Sequence, residues 1–243
     1  MRWSVVIPMW QEAVRIDSTI AQLAGSSLAR RDVELLFVDD GSSDGTADQC
    51  EKALAIHELS ARVLRLPVNR GKGAAVRHGM LLATGDVVGF SDADLSCGPD
   101  DIEAVFSAVE RGDVDIAIAS RTDSGTTIAE RQPLARRMSG IMFNTELRLL
   151  GLTDLHDTQC GLKAFAAPVV RDLFEPMRTN RFAFDVEVLT RAKRSGLRVV
   201  EIPVTWRHVE ASRVDPIRDG LRMAFDAARL RWTLRGSSRS RRR

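Results

Sequence analysis

Two carboxylates flank a single alanine in the segment Ser91-Asp92-Ala93-Asp94. On an extended backbone, residues two positions apart point the same way, so both side chains can address one cation. Carboxylate oxygens suit Mg²⁺ or Mn²⁺, and the oxygens of a diphosphate would complete such a coordination shell. Asp-x-Asp also occurs in surface turns, where carboxylates cap a helix. The pattern therefore predicts a metal site at Asp92 and Asp94, with a capping turn as the alternative.

A second polar cluster, Asp39-Asp40-Gly41-Ser42, follows an apolar stretch. Carboxylates in such a place can accept hydrogen bonds from a nucleobase or a ribose, and glycine permits the tight turn that follows. Asp44 and Thr46, a little further on, are better explained as caps of the next helix.

The third cluster is Asn69-Arg70-Gly71-Lys72-Gly73, at the predicted start of a helix. A cation beside the free N–H groups of a helix N-terminus forms a place where an anion can bind. The spacing of these residues differs from that of the Walker A motif, and this difference excludes a P-loop.

The elements that must position these clusters are short β-branched strands alternating with helices. Strands are predicted at 3–8, 33–38, 63–66, 87–90 and 114–119, and helices at 12–24, 46–59, 72–83 and 102–110. This alternation indicates βαβ units and a parallel sheet. Ligands of such sheets bind at the carboxyl ends of the strands, where the three clusters fall.

The second half of the chain has a different pattern. Helices are predicted at 133–150 and 185–195, and strands at 162–165 and 198–204. The segment 216–234 mixes apolar residues with arginines, which predicts an amphipathic helix lying on a membrane surface.

Charge is unevenly distributed along the 243 residues. The chain has 35 basic and 33 acidic residues, but from Arg213 onward there are ten Arg and three Asp. That segment is therefore +7 and the rest is −5. An acidic body excludes a general nucleic-acid binder, whereas a basic tail suits anionic lipid.

Membrane spans and disulfides are not expected. No run approaches the roughly 18 apolar residues of a spanning helix, and the N-terminus does not read as a signal peptide. The three cysteines are few and far apart. We therefore expect a reducing compartment, without structural disulfides or a zinc site.

Read in order, the clusters resemble family 2 glycosyltransferases of the GT-A fold. The matching segments are Val6-Ile7-Pro8 with Glu12, Val38–Ser42, Asn69–Gly73 and Asp92–Asp94. Three later segments resemble the dolichyl-phosphate glucosyltransferase branch and, more distantly, dolichyl-phosphate mannose synthases. They are Asp157-Thr158-Gln159-Cys160-Gly161-Leu162-Lys163, Arg181–Glu187 and Glu201–Trp206. The resemblance covers residues 3–213.

The resemblance implies an α/β GT-A fold with a mostly parallel central sheet, helices on both faces and a C-terminal amphipathic helix. The glycosyltransferase domain would span 1–213, the membrane-associating helix 214–235 and a basic tail 236–243. The implied reaction is inverting transfer of a hexose from a nucleotide sugar, with UDP favoured over GDP, to polyprenyl phosphate.

Site residues follow from the same resemblance. The nucleotide would be bound by Pro8, Glu12, Asp39, Asp40, Lys72 and Asp92, and Mg²⁺ or Mn²⁺ by Asp92 and Asp94. Catalysis would involve Asp94, Arg131 and Asp157. The acceptor phosphate would be held by Arg121, Arg131, Arg137, Ser212 and Arg213. Ala211 and Arg213 stand where the relatives have Gly and Lys.

Asp157 matches the position proposed as the base in these relatives. A lipid phosphate is already an anion at neutral pH, so the reaction needs little deprotonation. Positioning and stabilisation of the leaving diphosphate should dominate. The alternative roles for Asp157 are to orient an arginine or a sugar hydroxyl, or simply to end a turn.

The expected location is cytoplasmic and peripheral, on the inner face of the membrane. Either the segment after residue 213 or a small membrane-protein partner would recruit the enzyme. Two other functions stay open: transfer to a sugar hydroxyl in polysaccharide assembly, and nucleotide-sugar binding without catalysis.

Overall fold

The structure is a computed structural model that describes residues 1–121, 127–128, 147, 151–206 and 229. Its strands are β1 (Trp3–Met9), β2 (Val33–Asp39), β3 (Arg62–Arg65), β4 (Val87–Ser91), β5 (Ile116–Ser120), β6 (Thr127–Ile128), β7 (Leu162–Ala166), β8 (Val199–Pro203) and β9 (Thr205–Trp206). Its helices are α1 (Ile16–Ala24), a 3-10 turn (Ser27–Arg30), α2 (Thr46–Ile56), α3 (Lys72–Leu82), α4 (Pro99–Glu110), α5 (Ala167–Phe174) and α6 (Phe184–Arg194).

One mixed sheet organises the described residues, in the strand order β3-β2-β1-β4-β7-β5-β8. Neighbouring strands run parallel except at β7, which is antiparallel to both β4 and β5. The two-residue strands β6 and β9 pair separately. The expected α/β fold with a mostly parallel sheet is confirmed.

Helices cover both faces of this sheet, as expected. On one face of the sheet, α1, α2 and α4 contribute residues such as Ile20, Ala53 and Phe106 to an apolar cluster. These residues pack with buried side chains of the sheet strands. On the other face α3, α5 and α6 bury a second apolar cluster. Burial of two apolar faces explains why the strands read as continuous apolar runs rather than as alternating ones.

Pro8 lies inside a central strand, where its missing N–H would normally break a ladder. It is tolerated because the pairs between β1 and β4 end at Val6 and Phe90, two residues earlier. Beyond this point β1 remains paired only with β2. The two central strands therefore separate at their carboxyl ends, where an α/β sheet places its ligand crevice.

The reversed direction of β7 decides what reaches this crevice. Because β7 is antiparallel to β4, Leu162 at its beginning pairs with Ser91 at the end of β4. The loop 157–161 that precedes β7 therefore lies beside the carboxyl ends of the parallel strands. This strand direction was not part of the sequence-based prediction.

Element bounds agree with the predictions to within a few residues at most ends. The prediction missed α5, which follows β7 without an intervening loop and carries proline in its first turn. The predicted helix 133–150 falls outside the described residues apart from Leu147. None of the described helices is both long and apolar enough to cross a bilayer.

Candidate active site

Asp92 and Asp94 lie in the turn that follows β4. Both are partly exposed, whereas Ala93 and Leu95 are buried. Thr19 of α1 fixes the turn by donating to the Ala93 carbonyl at 2.6 Å. Leu95 adopts a left-handed backbone (φ +47°), an uncommon conformation that tends to occur at functional sites. Both carboxylates lie close enough to Lys72 to raise its pKa. That they share one direction, as the spacing predicts, stays a prediction.

Gly161 is packed directly against the Asp92 carboxylate. Its carbonyl accepts the Asp92 amide at 3.1 Å. A Cβ at this position would lie only 2.1 Å from Asp92 Oδ2, so no larger residue fits without moving the carboxylate. The loop 157–161 and the carboxylate turn therefore form one packed unit.

Lys72, the first residue of α3, pairs with the same carboxylate. Its Nζ lies 2.5 Å from Asp92 Oδ1, and a fifth of its side chain is exposed. Burial alone would lower the pKa of Lys72, but Asp92 and Asp185 outweigh it and the pKa is raised. Lys72 therefore stays a cation at neutral pH, close to where a metal-bound diphosphate would be.

The carboxylate of Asp40 is buried and binds backbone amides of the protein itself. It is 2% exposed, and its two oxygens accept the amides of Arg70 and Gly71 at 2.9 and 2.7 Å. Burial raises the pKa of Asp40 despite these bonds. In the structure Asp40 holds the loop that presents Lys72, and its direct contact with a nucleotide stays a prediction.

Asp39 ends β2 beside a cavity of about 240 Å³. Its carboxylate accepts the Ser42 amide at 3.2 Å. Gly41 (φ +66°) makes the turn possible, since a Cβ there would lie 2.5 Å from the Val68 carbonyl carbon. The cavity is lined by Asp39, Gly41, Ser42, Gly45, Thr46, Ala47, Asp48, Arg65, Leu66 and Pro67. Of the residues predicted to bind the nucleotide, Asp39 lines this cavity, whereas Pro8, Glu12 and Asp40 do not.

Glu12 lies after β1 on the same edge. Its carboxylate binds Arg15 with two contacts of 2.7 Å, and its amide donates to Thr46 Oγ1 at 2.7 Å. Pro8 is buried within β1. Gly45, rather than Asp44 or Thr46, is the N-cap residue of α2, and it provides no side-chain cap. Asp44, one residue earlier, accepts the amide of Thr46, the first helical residue, at 3.1 Å.

Asp157 is 1% exposed and is bound by Arg121 from two directions. The guanidinium donates from Nε at 2.7 Å and from Nη2 at 2.9 Å, and the Arg121 amide adds a third bond at 3.0 Å. Burial opposes ionisation, but the charge and hydrogen bonds of Arg121 hold the pKa of Asp157 below its ordinary 3.8. A carboxylate so engaged is a weak proton acceptor and a firm anchor for an arginine.

Glu201 of β8 holds the loop from the other side. Its carboxylate accepts the amides of His156 and Asp157, at 3.0 and 2.9 Å respectively, and contacts His156 Nδ1 at 2.9 Å. The backbone around Asp157 is therefore fixed independently of Arg121.

Cys97 and Cys160 meet between the carboxylate turn and the same loop. Their sulfurs are 3.6 Å apart, and both thiols are buried and free. Their hydrogen bond and burial raise the pKa of Cys97, so this thiol is poorly reactive. The pair packs the two loops together.

A buried ion pair lies behind the site. Lys163 of β7 is 2.7 Å from Asp185 Oδ1 at the start of α6, and both are almost fully buried. Both residues lie in segments that resemble the family, but neither has a role predicted from the sequence. A lysine within the otherwise apolar strand 162–166 was the available signal, because a buried cation requires a partner.

Glu187, also without an assigned role, organises the loop before α6. It accepts the amides of Arg178 and Thr179, at 3.1 and 2.8 Å respectively, and pairs with Arg191 at 2.7 Å. The carbonyl of Asn180 then accepts the amide of Ala74 in α3 at 3.1 Å. This loop therefore supports the helix that carries Lys72.

Four predicted site residues are outside the described residues: Arg131, Arg137, Ser212 and Arg213. Among the described ones, three of the strand ends, the loop 157–161 and Lys72 converge on one edge of the sheet. Their assigned roles in binding and catalysis stay predictions.

The donor set of Asp92 and Asp94 fits a hard divalent ion. Both carboxylates are partly exposed, and the Gly161 backbone limits the room in which the Asp92 carboxylate can turn. No cluster of three His, Cys, Asp or Glu side chains suited to a metal occurs in the described part of the chain. The remaining ligands would have to be oxygens of a diphosphate or water, as the sequence predicted.

Known proteins are similar to this chain in sequence and in architecture. Residues 4–174 match the model of the glycosyl transferase family 2. The dolichyl-phosphate beta-glucosyltransferases of Saccharomyces cerevisiae and Dictyostelium discoideum are 31% and 29% identical, each aligned over 94% of this chain and 73% of the relative.

A solved structure has the same fold. It is glucosyl-3-phosphoglycerate synthase from Mycobacterium tuberculosis in complex with Mn²⁺, UDP-glucose and phosphoglyceric acid, with a TM-score of 0.69 and 21% identity. The alignment covers 95% of this chain and 79% of that one. Together with the family match, this likeness establishes a GT-A-like architecture, and the chain belongs to glycosyltransferase family 2.

Proposed function

We propose that this glycosyltransferase moves a hexose from a nucleotide sugar, preferably a UDP-sugar, to a polyprenyl phosphate with inversion at the sugar carbon C1. The observation that carries the proposal is the contact between two loops of different chemistry. Asp92, suited to a metal-diphosphate, is packed against the loop whose Asp157 anchors Arg121, a residue suited to a phosphate. The names of the relatives, which specify dolichyl phosphate, support the choice of acceptor.

On the donor side, the base and ribose would bind between Pro8, Glu12 and Asp39, next to the cavity that Asp39 borders. Asp40 and Glu187 act indirectly, by holding the backbone around Lys72. The charge of the diphosphate would be met by the Lys72 ammonium. Mg²⁺ or Mn²⁺, held by Asp92 and Asp94, would supply further charge stabilisation when bound.

On the acceptor side, Arg121 is held where its guanidinium can attract the lipid phosphate. One phosphate oxygen attacks C1 while the bond from C1 to the nucleoside diphosphate breaks. No proton has to move, because the phosphate is already ionised. The enzyme's task is then to align two anions and to offset their repulsion with cations. We propose Arg131, Arg137, Ser212 and Arg213 as additional phosphate ligands, as in the resembling family.

Asp157 fits the role of positioning residue better than that of base. Both its oxygens are already engaged and its pKa is lowered. We therefore propose that Asp157 acts through Arg121.

The proposed location is the inner face of a membrane, reached from the cytoplasm. The net charge of +7 from residue 213 onward supports attraction to anionic lipid. A small membrane-protein partner is the alternative means of recruitment.

The test is a panel of labelled UDP- and GDP-hexoses, including UDP-glucose and UDP-N-acetylgalactosamine, incubated with the full-length protein, Mn²⁺ and polyprenyl phosphate. We expect label in a butanol-extractable lipid with one UDP-sugar, and none with the Asp94→Asn variant. Label appearing only in water-soluble saccharide would establish transfer to a hydroxyl instead. Binding of UDP-sugar without turnover on any acceptor would establish a non-catalytic binder.

A further inference from the structure

The ion pair of Lys163 and Asp185 is buried where no reacting group can touch it. Lys163 is 1% and Asp185 4% exposed. The Lys163 ammonium also donates to the Cys160 carbonyl at 2.7 Å and lies 5.4 Å from the centre of the Phe90 ring. These contacts of the lysine are all internal, and its charge also helps to lower the pKa of the buried Asp157.

Such a pair is poorly explained by stability. Taking two charges out of water costs several kcal/mol for each ion, and apolar replacements of similar volume are often neutral or stabilising. Asp185 is placed favourably in the first turn of α6, where the helix dipole attracts negative charge. This effect is too small to account for burying both ions, so the pair calls for another explanation.

The charges continue from this pair to the candidate site. The first turn of α6 packs on the first turn of α3, since a Cβ on Gly73 would lie 2.7 Å from Phe184 Cβ. This packing brings Asp185 near enough to attract Lys72 as well as Lys163. Lys72 in turn pairs with Asp92 at 2.5 Å. Lys163, Asp185, Lys72 and Asp92 therefore form an alternating series of positive and negative groups. The carbonyl bound by Lys163 belongs to the loop that packs on Asp92, so the series links β7, α6, α3 and the carboxylate turn.

We infer that Lys163 and Asp185 are positioning residues that fix the Lys72 ammonium at Asp92. The inference depends on the nucleotide-diphosphate role proposed for Lys72. Asp185 attracts Lys72 from behind the site, and Lys163 balances the charge of Asp185 so that it can remain buried. Lys72 is thereby placed before the donor arrives, and little side-chain freedom is lost when the diphosphate binds.

A double-mutant cycle tests this role on the full-length protein. The affinity for UDP in the presence of Mn²⁺ is measured by calorimetry for the wild type, Lys72→Met, the pair Lys163→Met/Asp185→Leu, and all three changes together. We expect the pair variant to bind UDP about tenfold more weakly at unchanged or higher thermal stability. We expect the triple variant to bind no more weakly than Lys72→Met alone, because the pair acts through Lys72.

Asp185→Asn provides a second route if the pair variant does not fold. The amide oxygen can still accept a hydrogen bond from Lys163, but the negative charge that attracts the Lys72 ammonium is removed. UDP affinity should fall several-fold in the wild-type background and stay unchanged in the Lys72→Met background.

Glu34→Gln is the matched control. Glu34 is a buried carboxylate at the opposite edge of the sheet, bonded to Ser4, Thr84 and Arg62. Its replacement should reduce stability without changing UDP affinity.

Additive losses in the triple variant, or an unchanged UDP affinity in both the pair variant and Asp185→Asn, would overturn the positioning role. Absence of UDP binding by the wild type would instead overturn the proposed function, since no acceptor is involved in this measurement.

Discussion

At the scale of single residues, the contact between Asp157 and Arg121 makes it possible to test whether Asp157 anchors the arginine or acts as a base. Asp157→Asn and Arg121→Lys should give the same defect, because each loosens the same bidentate contact. We expect the KM for polyprenyl phosphate to rise about tenfold in each, with no further rise when the two are combined. Steady-state kinetics with varied lipid concentration measures this. A fall in kcat of about a hundredfold or more at unchanged KM would indicate a base.

The lowered pKa of Asp157 also predicts how stability depends on pH. A carboxyl group whose pKa is lower in the folded state stabilises the fold above its unfolded pKa, and this stabilisation is lost as the pH falls through the folded pKa. At pH 7 Asp157→Asn should lower the free energy of unfolding by about 3 kcal/mol, as for a broken buried pair. The difference from wild type should shrink once the pH falls below the ordinary value of 3.8. Urea unfolding at several pH values tests this, and a pH-independent difference would contradict it.

The carboxylate of Asp94 should control the metal requirement. Asp94→Asn keeps the bond from the Ser96 amide to Oδ1 but removes a charge from the donor set. We expect the Mn²⁺ concentration that half-saturates UDP binding to rise about tenfold or more, since a hard cation prefers charged oxygens. Exposed Asp113 provides the control substitution, Asp113→Asn, which should have no effect. Equal dependence of UDP binding on Mn²⁺ in both variants would show that Asp94 is not a metal ligand.

At the scale of elements, the site depends on close packing of the loop before β7 against the turn after β4. Gly161→Ala would force a Cβ to within 2.1 Å of Asp92 Oδ2. Because the neighbouring backbone is held by β7, the carboxylate must move, and UDP affinity with Mn²⁺ should fall about tenfold or more. Calorimetry measures the change.

Gly25→Ala, at the C-cap of α1, is the corresponding control, since its Cβ would meet only ordinary contacts of 3.4 Å or more. It should leave UDP affinity unchanged. An unaltered affinity in Gly161→Ala would mean that the packed unit tolerates movement.

At the scale of the whole molecule, charge separation predicts how the protein reaches the lipid substrate that we propose for it. Deleting residues 214–243 removes nine Arg and three Asp, a net charge of +6. We expect the truncated protein to move from the membrane to the soluble fraction, and binding to vesicles rich in anionic lipid to fall steeply with salt. Fractionation and vesicle sedimentation measure this. Unchanged fractionation would favour a membrane-protein partner.

The sequence by itself determined the fold class and the edge of the sheet at which the predicted donor-binding residues meet. Apolar strands alternating with helices imply a parallel sheet, and carboxyl ends of parallel strands meet at one edge. Asp39, Asp92 and Lys72 could therefore be placed together from local patterns alone. The i, i+2 spacing also predicted that Asp92 and Asp94 share a direction, because it depends only on the geometry of one short segment.

Only the tertiary structure decided how the proposed acceptor side is built. The direction of β7 is a non-local property of the sheet, and it brings Asp157 to Arg121 and Gly161 to Asp92. The role of a carboxylate depends on what surrounds it: Asp40 and Glu187 hold backbone amides, and Asp185 balances a buried lysine. Distance, burial and partners distinguish these carboxylates, and each of the three is a property of the folded chain rather than of residue type.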